Sequence, residues 1–155
     1  MTPGPQVHLA ISSRAENVEL VQIAVEASLT QLSISEDDSH WIGIAVREAV
    51  ANAIKHGNQE NPDKRVEVDV GLEGDEVVVK VADQGEGFDP GVLPDPLSPE
   101  NLMRPNGRGI FFMRRFMDAI DYTFRPGGGT VVTLRKKITP TGAPAGGSEK
   151  EEDQA

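Results

Sequence analysis

Between Asn17 and Leu32 the apolar residues return every three or four positions, at Val18, Val21, Val25, Leu29 and Leu32. That spacing gathers them on one face of a helix. Just before it, QVHLAI (6–11) alternates Val7, Leu9 and Ile11 with their neighbours, the period of a short strand. Ser35 followed by Glu36, Asp37 and Asp38 opens a second helix, with a capping hydroxyl and acids in its first turn. It is expected to run to about His56, where Gly57 and Asn58 supply the stop. Trp41, Ile42, Ile44, Val46, Val50 and Ile54 form its apolar lining, yet Glu48 and Asn52 stand in its interior, one helical repeat apart. NQENPDK is a polar loop.

RVEVDVGL (65–72) sets Val66, Val68, Val70 and Leu72 against Arg65, Glu67 and Asp69, the alternation of an antiparallel strand with one wet face. Glu73-Gly74-Asp75 makes a tight hairpin connection into EVVVKVAD (76–83), which is more apolar and therefore more central. Gln84 to Asn106 contains five prolines and three glycines without any period. A segment that long in a compact domain reads as a lid. GRGIFFMRRFMD begins a helix, DYTFR (121–125) and TVVTLRKK (130–137) form a last hairpin across Pro-Gly-Gly-Gly, and the residues beyond Thr139 read as disordered. The order β-α-α-β-β-loop-α-β-β predicts an α/β two-layer sandwich, a mixed, mostly antiparallel sheet with helices on one face. Residues 1–138 form the expected domain and 139–155 an acidic tail. No internal repeat is visible.

Composition narrows the partners. The chain has 155 residues, 37% hydrophobic and 26% charged, in the range of a soluble globular domain. Net charge is −10; the last fifteen residues hold four acids and one base, so −7 remains elsewhere. Such a surface repels phosphate backbones, which argues against nucleic acid as a direct partner. With no cysteine, disulfides, thiolate zinc sites and cysteine nucleophiles are excluded. MTPGPQVHLA has no secretory pattern and no stretch is apolar enough for a bilayer, so a cytoplasmic location without a membrane anchor is expected.

Three segments carry chemistry. Glu48 and Asn52, buried on one helix face, would be satisfied by core hydrogen bonds or by Lys55; alternatively, a carboxylate and an amide oxygen suit Mg²⁺, which needs few protein ligands when phosphates supply the rest. DQGEGFD (83–89) follows the most apolar strand. Asp83 can accept from an exocyclic amine there, with Gly85 and Gly87 allowing close approach, although a plain turn also explains D-x-G. A calcium loop is set aside, because Pro94 stands where its bidentate Glu belongs. NGRGIFF (106–112) opens a helix with glycines, and residues 101–117 hold four arginines and no acid. This is an anion site at a helix N-terminus or a linker with a solvated basic face. It is neither a P-loop nor a dinucleotide fingerprint, since Phe112 replaces the third glycine.

In this order, E-x-x-x-N on a helix, D-x-G-x-G after a strand and G-x-G before a helix resemble the N, G1 and G2 boxes of the GHKL (Bergerat-fold) ATPases, over roughly residues 6–137. EAVANAIKHG, DQGEGFD and GRGIFFMRRFMD look most like the bacterial anti-sigma-factor serine/threonine kinases, the RsbW-like group. A histidine kinase is disfavoured because no dimerisation helix with a phospho-acceptor histidine precedes the domain, and gyrase-, chaperone- and mismatch-repair-type relatives need further domains. The resemblance implies ATP and Mg²⁺ as cofactors, with Asn52 the metal ligand. Glu48 would be the catalytic group that orients or deprotonates the attacking hydroxyl. Asp83 would accept from adenine N6, Gly85 and Gly87 would shape the base pocket, and Gly107 and Gly109 would cradle phosphates. Arg108, and after it Arg104, is placed near the γ-phosphate by local charge. His56 reads as a helix-end residue or pocket wall. The implied partners are a STAS-domain anti-anti-sigma protein bearing the acceptor serine or threonine, a sigma factor, and a second copy in a homodimer. A non-catalytic binding module of the same fold is the other reading.

Overall fold

The computed structural model describes residues 6–85 and 115–138. Five strands form one sheet: β1 (Val7–Ser12), β2 (Arg65–Glu73), β3 (Glu76–Ala82), β4 (Ala119–Phe124) and β5 (Thr130–Lys137), in the spatial order β1-β2-β3-β5-β4. Every pair is antiparallel, so the expected mixed character is absent among the described residues. β3, the most apolar run, is the central strand, as its composition predicts. Helices α1 (Asn17–Gln31) and α2 (Glu36–Asn52) pack against each other and cover one face of the sheet.

Register shows how alternation becomes a layer. Val66, Val68 and Val70 of β2 stand opposite Ile11, Leu9 and Val7 of β1, and Val68 and Val70 stand opposite Val81 and Val79 of β3. These side chains share a core with Val21, Val25 and Leu29 of α1 and Ile42, Val46 and Val50 of α2. Burying each such side chain contributes about 1.5–3 kcal/mol, so the shared stripe is what closes the two layers. The opposite face is polar: His8, Asp69, Lys80, Thr133 and Asp121 form one row across all five strands. The β2–β3 turn needs only Gly74 and Asp75, with Gly74 at φ 61°.

α2 starts as its sequence predicts, with Ser35 Oγ accepting from the Asp38 amide at 3.1 Å. Two expectations for this helix need correction. Trp41 is 41% exposed rather than part of the lining, and its ring stacks on Phe116 at 4.5 Å. The end is also different, because α-helical bonding stops at Asn52 and a π-helical turn, Ala53–Gly57, follows. The Asn58 amide reaches back five residues to the Ala53 carbonyl at 2.8 Å. Such one-turn widenings re-aim whatever they carry. No described helix is long and apolar enough to cross a membrane.

Candidate functional site

The site is built where the widened turn meets the end of the central strand. Asp83 follows β3 directly and is only 5% exposed, so its carboxylate is enclosed. Its Oδ1 accepts from the amides of Gly85 at 3.0 Å and Thr130 at 3.1 Å. Two backbone donors on one oxygen hold the carboxylate in a single orientation and satisfy much of the cost of burying it. Its backbone pairs with Thr130 of β5, donating at 2.9 Å, and its carbonyl accepts from Arg125 Nη1 at 3.0 Å.

Glycines make this enclosure possible. A β-carbon on Gly57 would stand 2.2 Å from Asp83 Oδ2, and one on Gly85 would stand 2.1 Å from the Gly57 carbonyl oxygen. Gly129 has φ 108°, and a β-carbon there would meet the Asp83 carbonyl oxygen at 2.4 Å. Thus at Gly85 it is the Gly57 carbonyl of the π-helical turn that leaves no room for a side chain.

Asn58, next to Gly57, is 1% exposed. Its Nδ2 donates to Ser13 Oγ at 2.7 Å and to the Arg65 carbonyl at 3.0 Å, while its Oδ1 accepts from the Gln84 amide at 2.8 Å. Gln84 Oε1 in turn accepts from the Arg65 amide at 2.6 Å. Asn58 is therefore more than a helix stop.

Glu48 and Asn52 are half-buried, not buried. They lie toward the end of α2, with Asn52 its last residue. Neither makes a hydrogen bond or ion pair among the described residues, so the core-bond and Lys55 explanations fail there. A carboxylate and an amide oxygen without partners among the described residues are suited to receive a hydrated cation or a ligand's polar groups. No cluster of three His, Asp or Glu among the described residues could hold a metal alone. The donor set thus fits Mg²⁺ only if phosphate and water oxygens supply most of the shell.

Gly87, Gly107, Arg108, Gly109 and Arg104 lie outside the described residues. So do the rest of the proline-rich segment, the start of the following helix and the tail. Four contributors to the Asp83 enclosure were missed in sequence: Asn58, Arg125, Gly129 and Thr130. The GGGT run was legible as a hairpin turn, but its proximity to Asp83 depends on β5 lying beside β3. Thr130 Oγ1 is buried beside Asp83 without a hydrogen-bond partner among the described residues.

A carboxylate enclosed at the end of the central strand, beside the end of α2, marks the candidate site of a two-layer α/β domain. Residues 11–136 match the histidine kinase-like ATPase domain family, and the chain belongs to that family. An anti-sigma F factor of Clostridium beijerinckii is 33% identical over 130 residues, 81% of this chain and 90% of the relative. The anti-sigma F factor of Bacillus subtilis is 30% identical over 142 residues, 89% and 96% of the two chains. Among solved structures, the RsbU and RsbW domains of a Mycobacterium tuberculosis protein superpose with a TM-score of 0.64 at 20% identity. That similarity covers 90% of this chain and 34% of the other, and shows a shared fold.

Proposed function

We propose that the chain is an ATP-dependent serine/threonine protein kinase that also acts as an anti-sigma factor. It would phosphorylate a STAS-type anti-anti-sigma protein and sequester a sigma factor, working as a homodimer. The observation that carries the reading is the convergence of Asp83, Gly57 and Gly85 beside the end of the helix that bears the half-buried Glu48 and Asn52. The anti-sigma F factor relatives support the partner class.

In this reading Asp83 accepts from the exocyclic amine of adenine through the oxygen that its backbone donors leave over. Asn52 would hold Mg²⁺ through its amide oxygen, and the ion would supply charge neutralisation for the ATP phosphates. Gly107 and Gly109 offer backbone N–H groups to those phosphates and Arg108 offers its guanidinium. Glu48 orients the acceptor hydroxyl and takes its proton as the oxygen attacks the γ-phosphorus. The bond to the β–γ bridging oxygen breaks and ADP leaves. Phosphoryl transfer asks mainly for positioning and charge neutralisation, which suits so small a set of side chains.

The test is incubation with Mg²⁺-ATP and a purified STAS-domain protein, with phosphoserine or phosphothreonine detected by mass spectrometry. Transfer that is lost in Asn52→Ala supports the kinase. Calorimetric binding of Mg²⁺-ATP without transfer to any such acceptor would instead favour a sequestering module.

A further inference from the structure

The π-helical turn does more than end α2. It delivers two consecutive residues to two consecutive residues: Gly57 to the carboxylate of Asp83, and Asn58 to the backbone of Gln84. We propose that Asn58 is a positioning residue for the nucleotide-base pocket, holding Gln84, and through it Asp83, at the distance that base recognition requires. The inference rests on the ATP reading of Asp83 and adds a residue to it.

Three observations carry it. First, Asn58 is not present for its tolerance of left-handed backbone. Its φ is −90°, and the left-handed conformations fall on Gln59 at 55° and Glu60 at 59°. A helix stop of the usual kind would place the permissive residue where φ is positive.

Second, the side chain is buried and engaged at both ends. Gln84 N–H requires an acceptor and the Arg65 carbonyl requires a donor, which fixes the orientation of the amide. Among short side chains, only an amide supplies donors and an acceptor in this geometry. Ser13 Oγ, its third partner, donates onward to the Lys64 carbonyl at 2.8 Å.

Third, these bonds tie the end of β1, the start of β2 and the end of β3 to the same turn that carries Gly57. Gln84 is fixed by its amide on one side and by its side chain on the Arg65 amide on the other. Asp83 is thus held between two anchors: Gln84 below, and Thr130 with Arg125 above. Removing the lower anchor leaves the carboxylate attached but free to shift relative to Gly57.

The experiment compares wild type, Asn58→Ala and Asn58→Asp, each titrated calorimetrically with Mg²⁺-ATP and with Mg²⁺-ITP. ITP presents a carbonyl where ATP presents its amine. Titrations run well below each variant's unfolding midpoint, with folding checked by circular dichroism. If Asn58→Ala does not fold alone, trimethylamine N-oxide is added to all three proteins to favour the compact state. Wild type is expected to prefer ATP. Asn58→Ala is expected to lose that preference by about tenfold, the scale of one well-placed hydrogen bond, with little change for ITP. Asn58→Asp keeps the acceptor for Gln84 and is expected to keep the preference despite a lower midpoint. A purely structural role would lower the midpoint and leave the ATP-to-ITP ratio intact. A folded Asn58→Ala with the wild-type ratio overturns the inference alone, and so does an Asn58→Asp that loses the ratio as fully as Asn58→Ala. Wild type that binds neither nucleotide overturns the ATP reading and this inference with it.

Discussion

Gly57 and Asp83 are in such close contact that no other residue fits at position 57 without moving the carboxylate, since a β-carbon there would stand 2.2 Å from Oδ2. The backbone of Gly57 is outside the left-handed region, so alanine is conformationally tolerable. What alanine meets is the carboxylate. Gly57→Ala should therefore retain its circular dichroism spectrum and lose about 1–3 kcal/mol of stability, the usual scale of overpacking. ATP binding should weaken at least about tenfold in calorimetry, because the displaced group is the proposed base acceptor.

Asp83→Asn changes charge and hydrogen-bond sense while keeping shape. The amide oxygen can still accept from Gly85 and Thr130, which leaves an NH₂ facing the base. ATP affinity should fall about ten- to a hundredfold, and ITP should gain relative to ATP because its carbonyl can accept from the new donor. Paired titrations measure the ratio. An unchanged ATP preference would remove Asp83 from base recognition.

Glu48 and Asn52 separate chemistry from binding. Glu48→Gln should bind Mg²⁺-ATP with affinity near wild type and lose about 10²–10⁴-fold in phosphotransfer, the range for a positioned proton acceptor. Asn52→Ala should lose the Mg²⁺-dependent part of ATP binding. Single-turnover transfer to a STAS-domain acceptor, beside calorimetry with and without Mg²⁺, reads both. Equal transfer rates for wild type and Glu48→Gln would remove the role assigned to Glu48.

On the polar face of the sheet, His8 Nδ1 bonds Asp69 Oδ1 across the β1–β2 pair. The bond and charge of Asp69, with a smaller contribution from Glu67, raise the imidazole pKa above its usual 6.5, against a small opposing effect of burial. A raised folded-state value means that the charged pair stabilises fully below the unfolded pKa. That stability is lost as pH rises through the folded value. The midpoint difference between wild type and His8→Gln should thus be greatest below the ordinary imidazole value of 6.5 and shrink as pH rises above it. The site is exposed, so the difference should be small and fall with added salt. Thermal melts across pH test this, and a difference that grows with pH would contradict it.

Much of the fold was legible because its signals are local. Alternation along 65–72 and 76–82 dictated which side chains enter the core, and the richness of β3 in valine foretold its central position. Helical spacing identified the faces of α1 and α2. It did not report depth: Glu48 and Asn52 lie on the expected helix, but covering segments decide how far they are sealed. The ring of residues around Asp83 was illegible for a different reason. Asn58, Arg125, Gly129 and Thr130 come together only because β3 pairs with β5 and α2 ends in a widened turn, and no local period encodes either event.

That widened turn imposes a rule on chain length. An ordinary α-helical turn rotates the chain by about 100° per residue, so deleting one residue between Asn52 and Gly57 would leave the upstream apolar stripe in place. It would also close the π-turn to an ordinary α-turn, with the Asn58 amide four rather than five residues from the Ala53 carbonyl, so Gly57 and Asn58 would still arrive beside Asp83 and Gln84. A second deletion would swing both residues by about 100° around the axis and away from that site. The turn therefore has one residue to spare, and a second loss would part Gly57 from Asp83.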